Sequence, residues 1–406
     1  MYPPHHLGGY ELSCYDVMAR FRARGHDVTV LTTTMRLPGV DDPPDERSSG
    51  VHRELSFYWH DHRILNPAPW KRLRMERGNQ AALHHLLAET APDVVSAWNL
   101  GARSLGLLAT VVESGLPLVL NVCDEWPIYG PRIDAWTRLF VGRPRLAALV
   151  RRRAGVPTAL ADLGSNAAFL YVSDSIRRKV EAASPWQPRI SSIVYSGIDT
   201  RYFADAPRSP QPWRWRLLYM GRIDERKGIH VAVEALRSLP QEATLEVHGR
   251  GDLEYLERLR GLARRLGLEQ RVRFAVSPRE ELGERYRDAD VVVFPTIWDE
   301  PFGLVPVEAM ACGTPVVATG TGGSGEFLLD GVNCVRIPPS DPQALAAAVR
   351  RIAGDEALRR RLVQSGFRTA EDLTVDRLAD VLETWHVAAA EGYSSVTPPP
   401  RRLSIP

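Results

Sequence analysis

The sequence predicts an α/β protein made of two similar domains, each with a doubly wound parallel sheet. Short β-branched runs alternate with amphipathic helical patterns along the chain, which is typical of βα units on a parallel sheet. This alternation occurs twice, before and after a Pro-rich break at 206–212. A chain of 406 residues is long enough for two packed cores. We therefore predict two domains joined near residue 208.

Each predicted domain has its own series of strands. In the first domain these are 28–32, 94–98, 118–122, 168–172 and 192–194. In the second they are 216–220, 244–248, 272–275, 291–295, 315–318 and 334–337. The first domain opens on a turn and a helix at 11–24, whereas a sheet of this class normally opens on a buried central strand. We therefore expect that its first strand is missing, through a late start codon or a truncated chain.

Composition and charge exclude several classes of protein. Hydrophobic residues make up 44% and charged residues 25%, as in globular proteins and unlike disordered or coiled-coil chains. Lys and Arg total 51 against 49 for Asp and Glu, so no overall field favours nucleic acid. The four cysteines are widely spaced, which indicates neither a disulfide scaffold nor a zinc site. Without a long apolar run or a signal-peptide pattern, the chain is expected to be cytoplasmic.

The strongest motif is DEPFGLVPVE at 299–308, directly after a predicted strand. A proline and a glycine within it place Glu300 in the turn before a helix. The helix start offers unpaired N–H groups at Gly303 and Leu304 and the positive end of the helix dipole, which favour a phosphate. Glu308, one to two turns into the helix, can hold paired hydroxyls such as those of a ribose.

A second motif, YMGRIDERKG at 219–228, links the first strand of the second domain to a helix. Its loop therefore lies at the carboxyl edge of the sheet, where ligands of such folds bind. Arg222 offers a planar fork for phosphate oxygens, and Lys227 offers a point charge. We expect both to face the same anion as the helix start at Gly303, such as a diphosphate leaving group.

Three further glycine-bearing turns are weaker signals. Gly8 and Gly9 lie ahead of the first helix, where the lack of a Cβ allows close approach of a ligand. The GRGDLE segment at 249–254 is not G-x-G-x-x-G, so a nicotinamide site is unsupported. The TGGSGE segment at 321–326 offers backbone contacts, with an ordinary loop as the alternative.

No metal site is predicted. Asp288 and Asp290 form a D-x-D pair, which is better explained by the end of a helix and the start of a strand. The histidine clusters at 5–6, 60–62 and 84–85 lack ligand spacing.

Residues 130–160 carry seven arginines but one acid, Asp134, with apolar residues interleaved. The arginines are Arg132, Arg138, Arg143, Arg145, Arg151, Arg152 and Arg153. Two interpretations stay open. The segment forms a basic, apolar surface for an anionic membrane or a lipid-phosphate acceptor, or it forms a solvated helix.

Five segments together resemble the retaining glycosyltransferases of family 4. They are YPPHHLGGYE, VYSGIDTRYF, LLYMGRIDERKGIHVAVEAL, EPFGLVPVEAMACGTPVVAT and SGEFLLDGVN. The resemblance implies the GT-B fold, with two Rossmann-like domains facing each other across a cleft. It also implies that a sugar moves from a nucleotide-diphospho-sugar (UDP- or GDP-sugar) to an acceptor hydroxyl with retention, without a cofactor or an obligatory metal.

The resemblance also implies a domain plan. Residues 1–207 form an acceptor-binding domain, and residues 208–372 bind the donor. A helix at 373–392 packs back on the first domain, and a disordered tail follows at 393–406. Closure on the donor uses a hinge near residue 208 and a second crossing near residue 373. The implied setting is glycan, glycolipid or cell-surface polysaccharide biosynthesis.

The family's site residues carry over by position. Arg222 and Lys227 resemble the pair that grips the diphosphate, and Glu308 resembles the acid that holds the ribose. Glu300 resembles the acid near the donor sugar. The remaining matches are Gly221 in the diphosphate loop, Val276 beside the base, Gly9 where the first domain closes on the donor, and Phe302, Gly303 and Leu304 in the loop whose backbone contacts the sugar and its phosphate.

One position departs from the family pattern. The family often has His-Asp after the strand at 118–122, and here the pair is Cys123-Asp124. Cys123 is expected to be a small buried residue at a strand end and not a catalytic thiol, whereas Asp124 is expected to orient the acceptor hydroxyl. Because the family is thought to use the leaving phosphate as base, this substitution need not abolish activity.

Two alternatives remain at this stage. A sugar-nucleotide-binding scaffold with little catalysis would keep donor binding without turnover. A GT-B enzyme of the sucrose-synthase or phosphorylase type would use free nucleotide or free phosphate as co-substrate.

Overall fold

The computed structural model describes residues 1–6, 8–60, 63–101, 104–203 and 212–393. These residues divide into two compact units. Unit 1 consists of Met1–Val194 together with 379–393, and unit 2 is Tyr195–Leu378. Each unit contains parallel sheet and helices, so the predicted α/β class is confirmed. The predicted hinge near residue 208, Asp61 and His62 of the second histidine cluster, and the predicted tail beyond Tyr393 all lie outside the described residues.

Unit 2 is built on one six-stranded parallel sheet. Its strands are β9 (Arg216–Met220), β10 (Thr244–His248), β11 (Val272–Ala275), β12 (Val291–Phe294), β13 (Val316–Ala318) and β14 (Val335–Arg336). Its helices are α8 (Thr200–Phe203), α9 (Ile229–Ala235), α10 (Leu253–Arg265), α11 (Leu282–Asp288), α12 (Leu304–Ala311), α13 (Pro342–Gly354) and α14 (Glu356–Asp372). Every strand lies within one residue of its predicted ends.

The strand order of this sheet, β11-β10-β9-β12-β13-β14, fixes where a ligand binds. The chain runs outward from β9 to one side through β10 and β11, then returns to the other side of β9 at β12. In open α/β sheets, the ligand crevice lies at the carboxyl ends of the two strands where the order reverses. The loops that follow β9 and β12 therefore meet at this switch point.

Unit 1 has a divided sheet. Its strands are β1 (Val30–Thr33), β2 (Val51–Leu55), β3 (Trp59–His60), β4 (Arg63–Ile64), β5 (Val95–Trp98), β6 (Leu118–Val122), β7 (Ala167–Tyr171) and β8 (Ile190–Ile193). Its helices before the crossing to unit 2 are α1 (Gly9–Ala23), α2 (Pro69–Thr90), α3 (Gly106–Glu113), α4 (Trp126–Ile133), α5 (Pro144–Ala154), α6 (Leu163–Asn166) and α7 (Asp174–Ala183). Strands β1 and β2 form one parallel pair, β5 to β8 form a parallel sheet, and β3 and β4 form an antiparallel ribbon.

The parallel strands described in unit 1 are divided between two sheets. Among the described residues, β1 pairs with β2 alone and β5 pairs with β6 alone. Strands β1 and β5 are therefore both edge strands in the described part of the chain. The chain enters unit 1 through a turn and α1, with no strand element before that helix in the described part of the chain.

Strand β2 was not predicted, because a charged residue occupies its inward face. Residues 51, 53 and 55 are buried and the two between them are partly exposed. The middle inward residue is Arg53, whose guanidinium donates to the carbonyls of Tyr2 (2.9 Å) and Pro3 (2.7 Å) and pairs with Glu46 (2.6 Å). These bonds offset the cost of burying the charge, but they remove the apolar alternation by which a strand is recognised.

The last helix, α15 (Val375–Ala390), begins in unit 2 and continues in unit 1 from Ala379. In unit 1 it contacts the end of α1. Arg24 pairs with Asp380 (2.6 Å) and with Glu383, and His26 bonds to Glu383 (2.5 Å). Among the described residues, no helix combines the length and the apolar character needed to cross a bilayer.

A buried carboxyl group lies on the inward face of α2. Glu76 is fully buried, and its Oε1 accepts the phenol proton of Tyr58 at 2.5 Å. Its Oε2 has no hydrogen-bond partner among the described residues. Burial raises the pKa of Glu76 from 4.5 to about 7, although the hydrogen bond from Tyr58 opposes this shift. The neutral acid is therefore the form that suits the folded state.

We predict that Glu76→Gln removes a pH dependence of stability. Because the folded-state pKa is raised, the stabilisation is present below pH 4.5 and is lost as the pH rises through about 7. The wild type then loses roughly 3 kcal/mol between pH 4.5 and pH 8 from this group, and the glutamine variant does not. Thermal unfolding at pH 5 and pH 8 measures the difference, with the exposed Glu89→Gln on the same helix as control. The prediction would be contradicted if the melting temperature changed equally between pH 5 and pH 8 in the wild type and in Glu76→Gln.

Candidate active site

Two loops meet at the switch point of unit 2, one after β9 (221–228) and one after β12 (295–303). Backbone bonds join them, since Ile297 N–H donates to the Arg226 carbonyl at 2.9 Å and the Thr296 hydroxyl donates to the same oxygen at 3.1 Å. Gly228 has a φ of 67°, and a Cβ there would lie 2.0 Å from the Pro295 oxygen. Only glycine allows this approach, so the two predicted motifs are held together by their backbones.

An ion pair joins the two motifs. Lys227 Nζ lies 2.6 Å from Glu300 Oε2, and the two side chains are 14% and 10% exposed. Trp298 donates its indole N–H to the same oxygen at 3.1 Å. Within the described part of the chain, Glu300 Oε1 has no hydrogen bond. One oxygen of the Glu300 carboxylate is thus held by two donors, and the other accepts no hydrogen bond from the described residues.

Three cations and two carboxylates surround this point. Arg222 is exposed and lies 3.3 Å from Asp224 Oδ2, and Arg226 forms two bonds to the same carboxylate, at 3.0 and 2.7 Å. Burial raises the pKa of Asp224, but the bonds from Arg226 outweigh it and bring that pKa down to about 2. The guanidinium of Arg226 also lies over the Trp298 ring at 4.4 Å. With Lys227 and Glu300 included, three cations lie together with two carboxylates, and cationic side chains suit an anion.

Helix α12 begins at this point. Gly303 precedes it with a φ of 93°, and a Cβ there would lie 3.0 Å from the Phe294 ring. The Phe302 ring is buried between Tyr195 (5.8 Å) and Phe327 (4.9 Å). The Phe302 side chain therefore anchors the turn, and at this position only backbone is left to contact a ligand.

The TGGSGE segment supports the turn that carries Glu300. Gly323 N–H donates to the Glu300 carbonyl at 2.7 Å, and the Thr321 hydroxyl donates to the Trp298 carbonyl at 2.6 Å. This loop therefore fixes the backbone on both sides of the exposed Asp299.

Glu308 lies on α12 and is bonded within unit 2. The Tyr286 hydroxyl of α11 donates to its Oε2 at 2.5 Å. Burial raises the pKa of Glu308, while this hydrogen bond and the charge of Arg279 oppose the shift. Tyr286 therefore occupies one oxygen of the carboxylate for which the sequence predicts ribose hydroxyls.

The GRGD turn lies beside the β9 loop. Gly221 N–H donates to the His248 carbonyl at 3.0 Å, and Ile223 N–H donates to the Arg250 carbonyl at 2.9 Å. Val276, directly after β11, has an exposed side chain. The next residue, Ser277, is bonded to the His248 ring at 2.9 Å. Gly221 and Val276 are therefore linked through the end of β10.

In unit 1, Asp124 lies at the carboxyl edge of β6 and is held by three donors. They are Trp126 N–H (2.8 Å) to Oδ1, and the Tyr129 hydroxyl (3.0 Å) and Asn99 amide (3.5 Å) to Oδ2. Burial raises the pKa of Asp124 and the bonds from Trp126 and Tyr129 oppose it. Burial also raises the pKa of the neighbouring Cys123 thiol, which leaves it protonated at neutral pH.

The start of α1 lies at the same edge of unit 1. The sequence predicts that Gly9 lies ahead of the first helix. In the structure it is the first residue of that helix. Gly8 N–H donates to Glu11 Oε2 at 3.2 Å. Tyr10 donates its hydroxyl proton to the Asn121 carbonyl at 3.0 Å, which ties the helix start to β6.

The D-x-D pair has a local role. Asp290 is buried, and its Oδ2 accepts the N–H groups of Arg214 and Arg216 at 2.9 Å each. Among the described residues, no three His, Cys, Asp or Glu side chains are grouped so as to hold a metal ion.

Some site residues escaped the sequence analysis. Arg226 stands inside the 219–228 motif and Trp298 directly precedes the 299–308 motif, so their positions were a usable signal. Tyr286 and Tyr129 gave none, because their contacts with Glu308 and Asp124 depend on side-chain directions between different elements.

Known proteins resemble this chain along most of its length. The family model described as Glycosyltransferase Family 4 matches residues 7–202, and the model described as Glycosyl transferases group 1 matches residues 207–369. The glycogen synthase of Mycobacterium tuberculosis is 28% identical over 98% of this chain and 95% of its own length. A D-inositol 3-phosphate glycosyltransferase of Geodermatophilus obscurus is 36% identical over 52% of this chain and 50% of its own.

Solved structures show the same architecture. The sucrose-phosphate synthase of Thermosynechococcus elongatus has a TM-score of 0.70 at 21% identity, covering 97% of each chain. Anabaena Alr3699/HepE, in complex with UDP and glucose, has a TM-score of 0.68 at 21% identity, covering 96% of each chain. These likenesses and the two matching family models agree with the doubly wound units described above, and the chain belongs to the family 4 glycosyltransferases, enzymes of the GT-B fold.

Proposed function

We propose that this glycosyltransferase moves a sugar from a UDP- or GDP-sugar to an acceptor hydroxyl with retention at the anomeric carbon. The observation that carries the proposal is the cluster of three cations at the switch point of unit 2. Arg222, Arg226 and Lys227 face two carboxylates beside the start of α12. Cationic side chains and a helix start suit the two phosphates of such a donor.

In the proposed reaction, these cations stabilise the departing diphosphate. The bond from the anomeric carbon to the phosphate oxygen breaks, and the acceptor oxygen bonds to that carbon on the same face. The acceptor proton passes to the leaving phosphate oxygen. Stabilisation of developing charge by prepositioned cations is usually the largest catalytic contribution. We therefore propose that the reaction proceeds without a cofactor or an obligatory metal.

The donor's other groups have proposed partners in unit 2. Glu300 binds hydroxyls of the donor sugar through Oε1, the oxygen to which no described residue donates a hydrogen bond. Glu308 binds the ribose hydroxyls while Tyr286 holds its Oε2. The backbone of Phe302, Gly303 and Leu304 contacts sugar and phosphate, Gly221 lies in the phosphate loop, and the exposed Val276 lies against the base.

The acceptor belongs to unit 1 in this proposal. Asp124, fixed by three donors, orients the acceptor hydroxyl. The Cys123 thiol takes no part in the chemistry, because burial raises its pKa.

We predict that Lys227→Ala lowers release of nucleotide from the donor about 100-fold, the usual effect of removing one stabilising group. Hydrolysis of UDP-, GDP- and ADP-sugars is measured, with water as acceptor. Lys179→Ala is the control, since it also breaks an ion pair (2.8 Å to Glu125) but in unit 1. Glu308→Ala is expected to weaken nucleotide binding.

The outcomes separate the alternatives. Release of one nucleotide, lost in Lys227→Ala and kept in Lys179→Ala, identifies the donor. Binding without release, with any acceptor, would favour a scaffold. Dependence on free phosphate or free nucleotide would favour the phosphorylase or sucrose-synthase type. Absence of nucleotide binding would contradict the proposed donor site.

We also propose that the enzyme is a cytoplasmic protein that contacts the inner, anionic face of a membrane through α5. One face of α5 packs on the core of unit 1, with Ala147, Val150 and Ala154 against Trp136, Phe140 and Val156. The outward face carries Arg145, Leu146, Leu149, Arg152 and Arg153 within an arc of about 120°. Leu146 and Leu149 are 42% and 46% exposed.

Other exposed apolar side chains border the same core cluster. Val141, just before α5, is 77% exposed. Trp70 at the start of α2 is 58% exposed, and Leu73 one turn later packs against the Trp136 cluster. Aromatic and aliphatic side chains flanked by arginines are typical of helices that lie in the bilayer interface.

Three arginines of this face have no acidic partner among the described residues. Arg151 pairs with Glu113 at 2.9 Å. In the described part of the chain, no acidic side chain pairs with Arg145, Arg152 or Arg153. Anionic headgroups are the complementary partner. Such a surface suits an enzyme that builds a glycan, glycolipid or cell-surface polysaccharide at the membrane.

We predict that the triple variant R145Q, R152Q and R153Q binds vesicles of 30% phosphatidylglycerol in phosphatidylcholine about 100-fold more weakly than wild type. Each arginine near such a surface contributes about 1 kcal/mol. Sedimentation with vesicles measures the partition, and pure phosphatidylcholine vesicles give the uncharged reference. The control triple R260Q, R264Q and R265Q changes as many arginines on α10. Equal vesicle binding by the wild type and the α5 triple variant would contradict the proposal. An equal loss of vesicle binding in the control triple variant would also contradict it.

A further inference from the structure

Trp298 contacts residues of both motifs of unit 2. Its indole N–H donates to Glu300 Oε2 at 3.1 Å, the same oxygen that Lys227 contacts at 2.6 Å. Its carbonyl accepts the Thr321 hydroxyl proton at 2.6 Å, and its ring carries the Arg226 guanidinium at 4.4 Å. The residue is therefore fixed through its backbone, its ring and its N–H.

A bound diphosphate would affect the two donors to Glu300 Oε2, Lys227 and Trp298, in different ways. Lys227 is a flexible cation, and a diphosphate offers it more negative charge than a single carboxylate does. An indole N–H is a neutral donor on a rigid ring, and here it belongs to a residue two positions before Glu300. A bound diphosphate thus competes for Lys227 and leaves the Trp298 hydrogen bond in place.

The consequence concerns Glu300 Oε1. If Lys227 were the sole donor to Oε2, its transfer to the diphosphate would release the whole carboxylate. A buried carboxylate that loses a hydrogen bond also pays the cost of desolvation without compensation. The indole N–H keeps Oε2 in position, so Oε1 continues to point away from the ion pair.

We infer that Trp298 is a positioning residue that holds Glu300 for the donor sugar when the diphosphate takes over Lys227. This inference rests on the proposed function and deepens it. It makes recognition of the sugar by Glu300, as distinct from recognition of the nucleotide, depend on an indole N–H. Arg226 contributes by fixing the ring on which that N–H stands.

The test compares a nucleotide with its sugar conjugate in binding to Trp298→Phe, which keeps an aromatic ring for Arg226 and removes the N–H. Calorimetry measures the Kd of UDP and of UDP-glucose, or of GDP and GDP-mannose if guanosine is preferred. We expect the Kd of the nucleotide to stay within twofold of wild type. The Kd of the sugar conjugate should rise about tenfold, as for loss of one hydrogen bond to a charged group. Hydrolysis of the conjugate should slow in kcat.

Trp213→Phe is the matched control. Its indole nitrogen lies buried in the same unit without a hydrogen-bond partner among the described residues, so its replacement tests for a general effect of losing an indole. Unchanged nucleotide binding in Trp298→Phe also shows that unit 2 is folded.

The failures are distinguishable. A wild type that binds neither nucleotide overturns the proposed function and this inference with it. A wild type that binds the conjugate more tightly than the nucleotide, with Trp298→Phe unchanged, overturns this inference alone. Equal weakening of both ligands in Trp298→Phe, or the same pattern in Trp213→Phe, assigns Trp298 a merely structural role.

Discussion

Lys227 and Glu300 are 73 residues apart in the chain, and the ion pair between them at 2.6 Å depends on the parallel pairing of β9 with β12. Parallel strands end at one edge of a sheet, so the loops after neighbouring strands are brought together whatever their distance in sequence. Here the two neighbours are also the pair at which the strand order reverses. The site of unit 2 follows from that register.

This constraint explains why the glycines of the two loops matter as much as the charges. Gly228 lets the β9 loop touch the Pro295 carbonyl, and Gly303 turns the chain into α12 against the Phe294 ring. A side chain at either position would separate loops whose charged groups attract each other over a few ångströms. The ion pairs at this site of unit 2 therefore depend on close packing of the backbones of the two loops.

The sequence predicts unit 2 better than unit 1, for a physical reason. Strand β12 is buried on both faces and reads as an unbroken apolar run. The edge strand β11 carries Arg273 and an exposed Ala275, and was located by its place in the repeating βα pattern. Strand β2 buries Arg53 against backbone carbonyls and loses that signal. The motifs likewise located Lys227 and Glu300, but not the Tyr286 bond to Glu308. Contacts of that kind depend on rotamers across two helices, which periodicity does not encode.

Unit 1 shows how a departure from a family pattern is absorbed. Cys123 stands where the family often has histidine, and its thiol is kept protonated by burial. The adjacent Asp124 nevertheless keeps a fixed orientation, because Trp126, Tyr129 and Asn99 bind both of its oxygens. Two of these donors come from α4 and one from the end of β5, so the carboxylate is placed by elements that do not involve residue 123. The orientation of this aspartate therefore does not depend on an imidazole at position 123. Replacing the histidine by cysteine removes only the contacts that the imidazole itself would make.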